Sequence, residues 1–132
     1  MTTILVAADA QWVRDQVRAA FVAPGQNVIE VTRGQDVRGT FGRELPDLVI
    51  LDLQIGNMGG VAAAIDLRLE ESAARLPRAT ILLLVDREAD RFIAKRADVD
   101  GVLVKPADAG TLRRTAKRLL AGPPPDESSA AG

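Results

Sequence analysis

The sequence predicts an α/β fold in which a parallel sheet is covered by helices on both faces. Five short apolar runs, rich in leucine and β-branched residues, recur along the chain: Ile4 to Ala7, Val28 to Val31, Leu48 to Leu51, Ile81 to Val85 and Val102 to Val104. The stretches between them have helical spacing. Because parallel neighbours are joined by crossover helices, this alternation favours a parallel sheet, and the near-continuous apolar strands agree with burial on both faces.

Three of the intervening stretches carry an apolar stripe that is typical of an amphipathic helix. The first is Gln11 to Val22, with apolar residues at i, i+4, i+7 and i+8: Val13, Val17, Ala20 and Phe21. The second is Val61 to Ala74, which we expect to bury Ile65 and Leu69. The third is Ala109 to Leu120, with the stripe Leu112, Ala116, Leu119 and Leu120. Two shorter and less regular helices are predicted over Gln35 to Phe41 and Ala89 to Ala97.

Length and composition favour one domain and exclude several kinds of chemistry. The chain has 132 residues, 47% of them hydrophobic and 27% charged, which suits a single globular domain over residues 1–122. The last ten residues, PPPDESSAAG, have no apolar period, so residues 123–132 are predicted to be a disordered tail with no output domain. Without cysteine or histidine, thiolate chemistry, Ser-His-Asp triads and zinc hydrolysis are excluded.

Charge and hydropathy limit the partners and the location. The net charge is −1 and the pI about 5.4, so the molecule as a whole lacks the cationic field of nucleic-acid-binding proteins. The last predicted helix carries a basic face, Arg113, Arg114, Lys117 and Arg118, but it has no interleaved aromatic residues, and direct nucleic-acid binding is not expected. No basic leader and no membrane-length apolar segment are present. We therefore expect a cytoplasmic protein that does not enter membranes.

Three polar residues follow predicted strands and are the candidate functional residues. Asp9 follows the first strand, Asp52 ends the third and Lys105 ends the fifth. In an open parallel sheet, ligands bind beyond the carboxyl ends of the strands, so these side chains are expected to meet. Two carboxylates with a lysine suit Mg²⁺ and a phosphoryl group. An aspartate after a strand is also a common helix cap or turn former, and this structural alternative stays open for Asp9.

These residues lie in motifs that resemble the receiver domain of response regulators, from Thr3 to about Leu120. The segment ILVAADAQWVRDQV is similar to the first strand and acidic loop of that family, PDLVILDLQIGNMGG to its phosphoacceptor strand and loop, with Gly60 at the family's glycine, and DGVLVKP to its last strand. The resemblance implies a flavodoxin-like (βα)₅ fold with strand order 2-1-3-4-5. It also implies a regulatory role, rather than an enzymatic one, in two-component phosphorelay signalling.

The resemblance assigns a role to each matching position. Asp52 is the expected phosphoacceptor, and the expected Mg²⁺ ligands are Asp9, Asp52 and the backbone carbonyl of Gln54, whose side chain should matter little. Lys105 is expected to contact the phosphoryl group, and the bond before Pro106 to be cis. Expected partners are a histidine kinase or another signalling protein, or a second copy of the chain through the face of helix 4, strand 5 and helix 5.

Three family positions are altered, and they change the expected function. Ala8 replaces one of two adjacent acids, so we expect Mg²⁺ to bind weakly. Val85 replaces the hydroxyl residue at the end of the fourth strand, and Val102 replaces the aromatic switch residue of the fifth. Without both groups, phosphorylation has no evident contact through which to bias two states. The connection from Val85 to Lys105 is also short, so the fourth helix is expected to be short or displaced.

Asp86 allows two interpretations. It either caps the fourth helix, which is the interpretation that the sequence favours, or pairs with Lys105 and supplies a permanent charge at the site.

The sequence thus predicts an atypical, stand-alone receiver that binds a partner protein, with phosphorylation of Asp52 weak or dispensable. The alternative is a conventional Mg²⁺-dependent phosphoacceptor. A third hypothesis is a small Mg²⁺-dependent phosphohydrolase. Against it, the sequence shows neither a cap domain nor a second acid near Asp52 that could serve as the general acid. Trp12, three residues after Asp9, is expected to pack at the start of the first helix and to report on the site.

Overall fold

The computed structural model describes residues 1–55 and 59–122 and places strands and helices in strict alternation along that part of the chain. The strands are β1 (Thr2–Ala7), β2 (Gln26–Val31), β3 (Leu48–Asp52), β4 (Ile81–Val85) and β5 (Gly101–Val104). The α-helices are α1 (Gln11–Ala20), α2 (Val37–Glu44), α3 (Gly60–Ser72), α4 (Phe92–Ala97) and α5 (Ala109–Ala121). The predicted tail over residues 123–132 lies outside the described residues.

The strands form one parallel sheet with the order β2-β1-β3-β4-β5. Ile4 of β1 is in register with Leu48 of β3, and Val49 of β3 with Ile81 of β4. The predicted fold class and strand order are therefore confirmed. All five residues of β3 and of β4 are buried, as expected for central strands with helices on both faces.

Alternate side chains of the central strands form two separate cores, because successive residues of a strand point to opposite faces. One core packs Ile50 and Leu82 against Val13 and Val17 of α1 and Leu112 of α5. The other packs Leu51 and Leu83 against Phe41 of α2 and Leu67 of α3. The stripe predicted for α1 is buried as expected, and complete burial of each large side chain contributes about 1.5–3 kcal/mol.

The stripe predicted for α3 was wrong. Ile65 and Leu69 are 41% and 60% exposed, whereas Ala63, Ala64 and Leu67 face the sheet. The sequence of α3 is apolar around most of the helix, so spacing alone did not distinguish the inner face, and the two small alanines allow close packing on the sheet. In α5, Leu112 and Ala116 are buried as expected, but Leu120 is 41% exposed.

The two irregular helices each begin with a 3₁₀ turn. Gly34–Asp36 precedes α2, which continues to Glu44, and Glu88–Arg91 precedes α4. The α4 helix has only six residues, in agreement with the short connection between β4 and β5. No helix within the described ranges is long and apolar enough to span a membrane.

Gly60 fixes how α3 begins beside the end of β3. A Cβ atom at this position would lie 2.3 Å from the backbone oxygen of Asp52, a distance that no side chain tolerates. Glycine therefore allows the first turn of α3 to pack directly on the backbone that carries Asp52.

Candidate functional site

The ends of three neighbouring strands bring two carboxylates and one ammonium together. Asp52 is the last residue of β3, Asp86 directly follows β4 and Lys105 directly follows β5. Since β3, β4 and β5 are parallel neighbours, their carboxyl ends meet at one edge of the sheet. Three side chains were expected to meet at this edge, Asp9, Asp52 and Lys105, and two of them, Asp52 and Lys105, are in contact there.

Lys105 forms ion pairs with both carboxylates. Its Nζ lies 2.5 Å from Oδ1 of Asp52 and 3.0 Å from Oδ1 of Asp86. The side chain of Asp52 is 1% exposed and that of Lys105 is 7% exposed. A carboxylate in such surroundings needs a partner and further hydrogen bonds, and the backbone N–H of Gln54 donates one to Oδ1 of Asp52 at 3.1 Å.

The contacts of Asp86 contradict the favoured interpretation as a helix cap. The N-cap of the 3₁₀ turn is Arg87, and that of α4 is Arg91. Asp90 does the capping, since its Oδ2 accepts a hydrogen bond from the backbone N–H of Arg87 at 3.1 Å. Asp86 instead pairs with Lys105, at 3.0 Å.

The side chain of Gln54 takes part in the same cluster. Its Nε2 donates to Oδ2 of Asp86 at 3.2 Å, a contact that the sequence did not predict. The Lys105 cluster, as we call Asp52, Gln54, Asp86 and Lys105, is thus a continuous network. The spacing of Gln54 and Asp86 in the sequence gave no signal for this contact.

The network keeps Lys105 and Asp86 charged. Burial by itself lowers the pKa of Lys105, but hydrogen bonds to Asp52 and Asp86 more than offset this, and the pKa is raised. The hydrogen bond from Lys105, assisted by that from Gln54, lowers the pKa of Asp86. Asp86 is therefore a carboxylate at neutral pH, and it is a poor proton donor.

Asp9 lies in the loop after β1 and is exposed. The N-cap of α1 is Ala10, so the alternative role of Asp9 as the cap is not observed. The loop is held instead by Arg14, whose Nη1 donates to the carbonyl oxygens of Ala8 and Asp9, each at 2.8 Å. Arg14 also pairs with Glu30 of β2 at 3.2 Å, a role that helical periodicity could not reveal.

The donors at this edge suit Mg²⁺, although they are few. Mg²⁺ prefers oxygen ligands and is commonly held by one or two carboxylates together with water. Asp9, Asp52 and the carbonyl of Gln54, the ligands that the sequence predicts, would supply such oxygens. In residues 1–55 and 59–122 there is no group of three or more acidic, histidine or cysteine side chains arranged to hold a metal ion. Ala8, which is fully buried, supplies no carboxylate.

The other altered positions also lack polar side-chain groups. Val85 ends β4, is 0% exposed and belongs to the core that contains Phe41 and Leu67. Val102 is a half-buried residue of the edge strand β5, packed against the same core. Neither side chain can donate a hydrogen bond to a group on Asp52.

Trp12 borders the cluster rather than packing inside the protein. It is 53% exposed, and Nζ of Lys105 lies 5.9 Å from the centroid of its ring, within range of a cation–π interaction. The peptide bond between Lys105 and Pro106 is cis, as expected. The next residue, Ala107, donates its N–H to Oε1 of Gln16 at 3.3 Å, which ties the chain after β5 to α1.

Solved structures share this fold. The receiver domain of sensor histidine kinase PA1611 from Pseudomonas aeruginosa PAO1, solved with a magnesium ion coordinated in its active-site cleft, matches with a TM-score of 0.79 at 22% identity, covering 92% of this chain and 98% of that one. The chemotaxis response regulator CheY4 of Vibrio cholerae also matches with a TM-score of 0.79 at 22% identity, over 90% and 98% of the two chains.

Sequence comparison agrees with the fold. Protein PilH of Pseudomonas aeruginosa is 28% identical over 122 residues, which are 92% of this chain and all of PilH. The transcriptional regulatory protein KdpE of Escherichia coli is 32% identical over 113 residues, which are 86% of this chain but only 48% of KdpE. The family model of the response regulator receiver domain matches residues 4–117. The chain therefore belongs to the response regulator receiver domain family of two-component signalling proteins.

Proposed function

We propose that this receiver regulates signalling by binding a partner protein, and that phosphorylation of Asp52 is weak or dispensable for this binding. The observation that carries the proposal is that neither of the two predicted switch positions, Val85 and Val102, carries a hydroxyl group or an aromatic ring. Asp52 and Lys105 are paired, but Val85 is fully buried in the core and Val102 has no ring to rearrange. A group that makes no different contacts in two conformations cannot shift the balance between them.

The face formed by α4, β5 and α5, which we call the α4–β5–α5 face, supports partner binding. Phe92, at the start of α4, is 62% exposed. Exposed cations accompany it on the two helices: Lys95 and Arg96 on α4, and Arg113, Arg114, Lys117 and Arg118 on α5. An exposed aromatic residue beside arginines is a typical composition of a protein interface. A histidine kinase, another signalling protein or a second copy of the chain would use it.

A conventional phosphoacceptor is the second candidate, and the intact pair of Asp52 and Lys105 favours it. In that reaction an Asp52 carboxylate oxygen attacks the phosphorus of a phosphohistidine, and the bond from phosphorus to nitrogen breaks. Lys105 would then donate a hydrogen bond to a phosphoryl oxygen. Bound Mg²⁺, held by Asp9, Asp52 and the carbonyl of Gln54, would screen the phosphoryl charge.

The phosphohydrolase hypothesis gains little support. Asp86 is an acid close to the site, but the pKa of Asp86 is lowered by Lys105, which makes its carboxylate a poor general acid.

One titration separates the first two candidates. Trp12 fluorescence is followed while Mg²⁺ and then beryllofluoride, a phosphoryl mimic, are added to the wild type and to Asp52→Asn. The proposed function predicts no saturable, Asp52-dependent change at low millimolar Mg²⁺. Such a change would overturn it in favour of the conventional phosphoacceptor, and steady hydrolysis of a phosphomonoester would favour the third hypothesis.

Partner binding is tested by cross-linking and pull-down with the histidine kinase whose gene lies nearest to the gene of this protein. Wild type, Asp52→Asn and Phe92→Glu are compared. Equal binding by wild type and Asp52→Asn, together with loss of binding in Phe92→Glu, supports the proposal. Binding that disappears in Asp52→Asn contradicts it.

A further inference from the structure

The geometry points to Asp86 as a built-in counter-anion, which holds Lys105 and opposes binding of a phosphoryl group at Asp52. This inference rests on the proposed function and deepens it, because it names a residue of this chain that keeps phosphorylation weak. Asp86 would be a positioning residue that acts through Lys105.

The first support is that one ammonium serves two carboxylates. Nζ of Lys105 lies 2.5 Å from Asp52 and 3.0 Å from Asp86. Two carboxylates that share one ammonium leave one net negative charge in the cluster. A phosphoryl group would add further negative charge beside Asp52, at the place where Asp86 already contributes its own.

The second support is that Asp86 is held in place on two sides. Its Oδ1 pairs with Lys105, and its Oδ2 accepts the hydrogen bond from Nε2 of Gln54 at 3.2 Å. The backbone that follows is fixed by the hydrogen bond from Arg87 to the buried Asp90. The carboxylate is therefore a defined part of the site rather than a mobile surface charge.

The third support is the difference in burial between the two carboxylates. The side chain of Asp52 is 1% exposed and that of Asp86 is 40% exposed. Asp86 is therefore in contact with water where it stands, while Asp52 is not. A phosphoryl group on Asp52 would have to share Lys105 with Asp86 or displace Asp86 from Lys105. Either change weakens the ion pair between Lys105 and Asp86.

The test compares Asp86→Asn with Asp15→Asn. Both substitutions remove one negative charge and keep the shape of the side chain, but Asp15 is an exposed residue of α1 outside the Lys105 cluster. Binding of beryllofluoride is measured by Trp12 fluorescence at a fixed Mg²⁺ concentration well above the low millimolar range, where weak binding by the wild type can be titrated. Thermal unfolding of each variant verifies that it is folded.

We expect Asp86→Asn to bind beryllofluoride about tenfold more tightly than the wild type. This is the effect expected from removing one partly exposed negative charge that is paired with Lys105. Asp15→Asn should bind like the wild type. A Gln54→Ala variant, in which Asp86 is free to turn away from Lys105, should show a smaller increase. As an independent measure, the yield of phosphorylated protein after treatment with acetyl phosphate should rise in Asp86→Asn.

Two results would overturn the inference. One is equal or weaker binding by Asp86→Asn, including the case in which neither it nor the wild type binds. The other is an equal increase in Asp15→Asn, which would indicate a general charge effect. Failure of the proposed function is a separate result, because it is read from the affinity of the wild type alone. Should Asp86→Asn fail to fold, Asp86→Ser is compared with Asp15→Ser in the same way.

Discussion

At the scale of single residues, the stability of Asp52 depends on Lys105. Asp52 ends a strand in which every residue is buried, and an isolated carboxylate there would cost several kcal/mol. Lys105 is itself almost fully buried, and it pairs with Asp86 as well as with Asp52. Asp52 is therefore not expected to tolerate replacement of Lys105, although replacement of both residues together should be better tolerated.

Lys105→Met is predicted to destabilise the protein by about 3 kcal/mol at pH 7, because it leaves the buried Asp52 without its ammonium. Urea unfolding followed by circular dichroism measures this change. The matched control is the double variant Lys105→Met with Asp52→Asn, which removes both charges and should recover most of the loss. Equal instability of the single and double variants would show that packing of the lysine stem, rather than its charge, stabilises this edge.

At the scale of elements, the junction between β3 and α3 positions the candidate phosphoacceptor. Gly60 begins α3 against the backbone of Asp52, and Gly59 immediately precedes it as the N-cap. The two adjacent glycines differ in surroundings. A Cβ at Gly59 would meet its nearest neighbour, the oxygen of Leu53, at an ordinary 3.6 Å, and φ there is −62°.

Gly60→Ala is therefore predicted to cost about 2 kcal/mol or more, since either α3 or the end of β3 must shift to admit the methyl group. Gly59→Ala is the matched control and should change the free energy of unfolding by less than about 1 kcal/mol. Chemical unfolding of both variants gives the comparison, and an NMR spectrum should show shifted Asp52 and Lys105 signals only in Gly60→Ala. Similar stabilities would mean that this close approach relaxes easily.

At the scale of the whole molecule, sequence patterns predicted most of the fold but only part of the site. The five apolar runs correspond to the five strands, because buried parallel strands need continuous apolar residues. The inner face of α3 could not be predicted, since Ile65 and Leu69 are as apolar as Leu67. The role of Asp86 depends on the path of the chain after β4, which short-range signals do not specify. Likewise, the ion pair between Arg14 and Glu30 joins separate elements.

A second charged cluster, centred on Asp100, links three elements of the fold. Asp100 precedes β5, and its Oδ2 lies 3.0 Å from Nη2 of Arg68 in α3 and accepts a hydrogen bond from the N–H of Ile81 in β4 at 2.8 Å. Arg78 pairs with its other oxygen. Burial by itself raises the pKa of Asp100, but the hydrogen bonds from Arg78 and Ile81 outweigh it, and the pKa is lowered.

The lowered pKa of Asp100 links the stability of the whole fold to pH. A carboxylate with a lower pKa in the folded state stabilises that state above its unfolded pKa of about 3.9, and this contribution is lost as the pH falls through the folded value. Asp100→Asn should therefore lower the free energy of unfolding by about 2 kcal/mol at pH 7. Its stability should also fall less steeply than that of the wild type below about pH 4.

Urea unfolding at a series of pH values measures both effects. Asp98→Asn provides the control, because its side chain is 86% exposed and asparagine tolerates its left-handed φ of 54°. The control should follow the wild-type profile, since an exposed charge 3.9 Å from Arg68 contributes little. Parallel acid profiles for Asp100→Asn and the wild type would show that other carboxylates govern acid unfolding, and that Asp100 joins α3, β4 and β5 through geometry rather than through its charge.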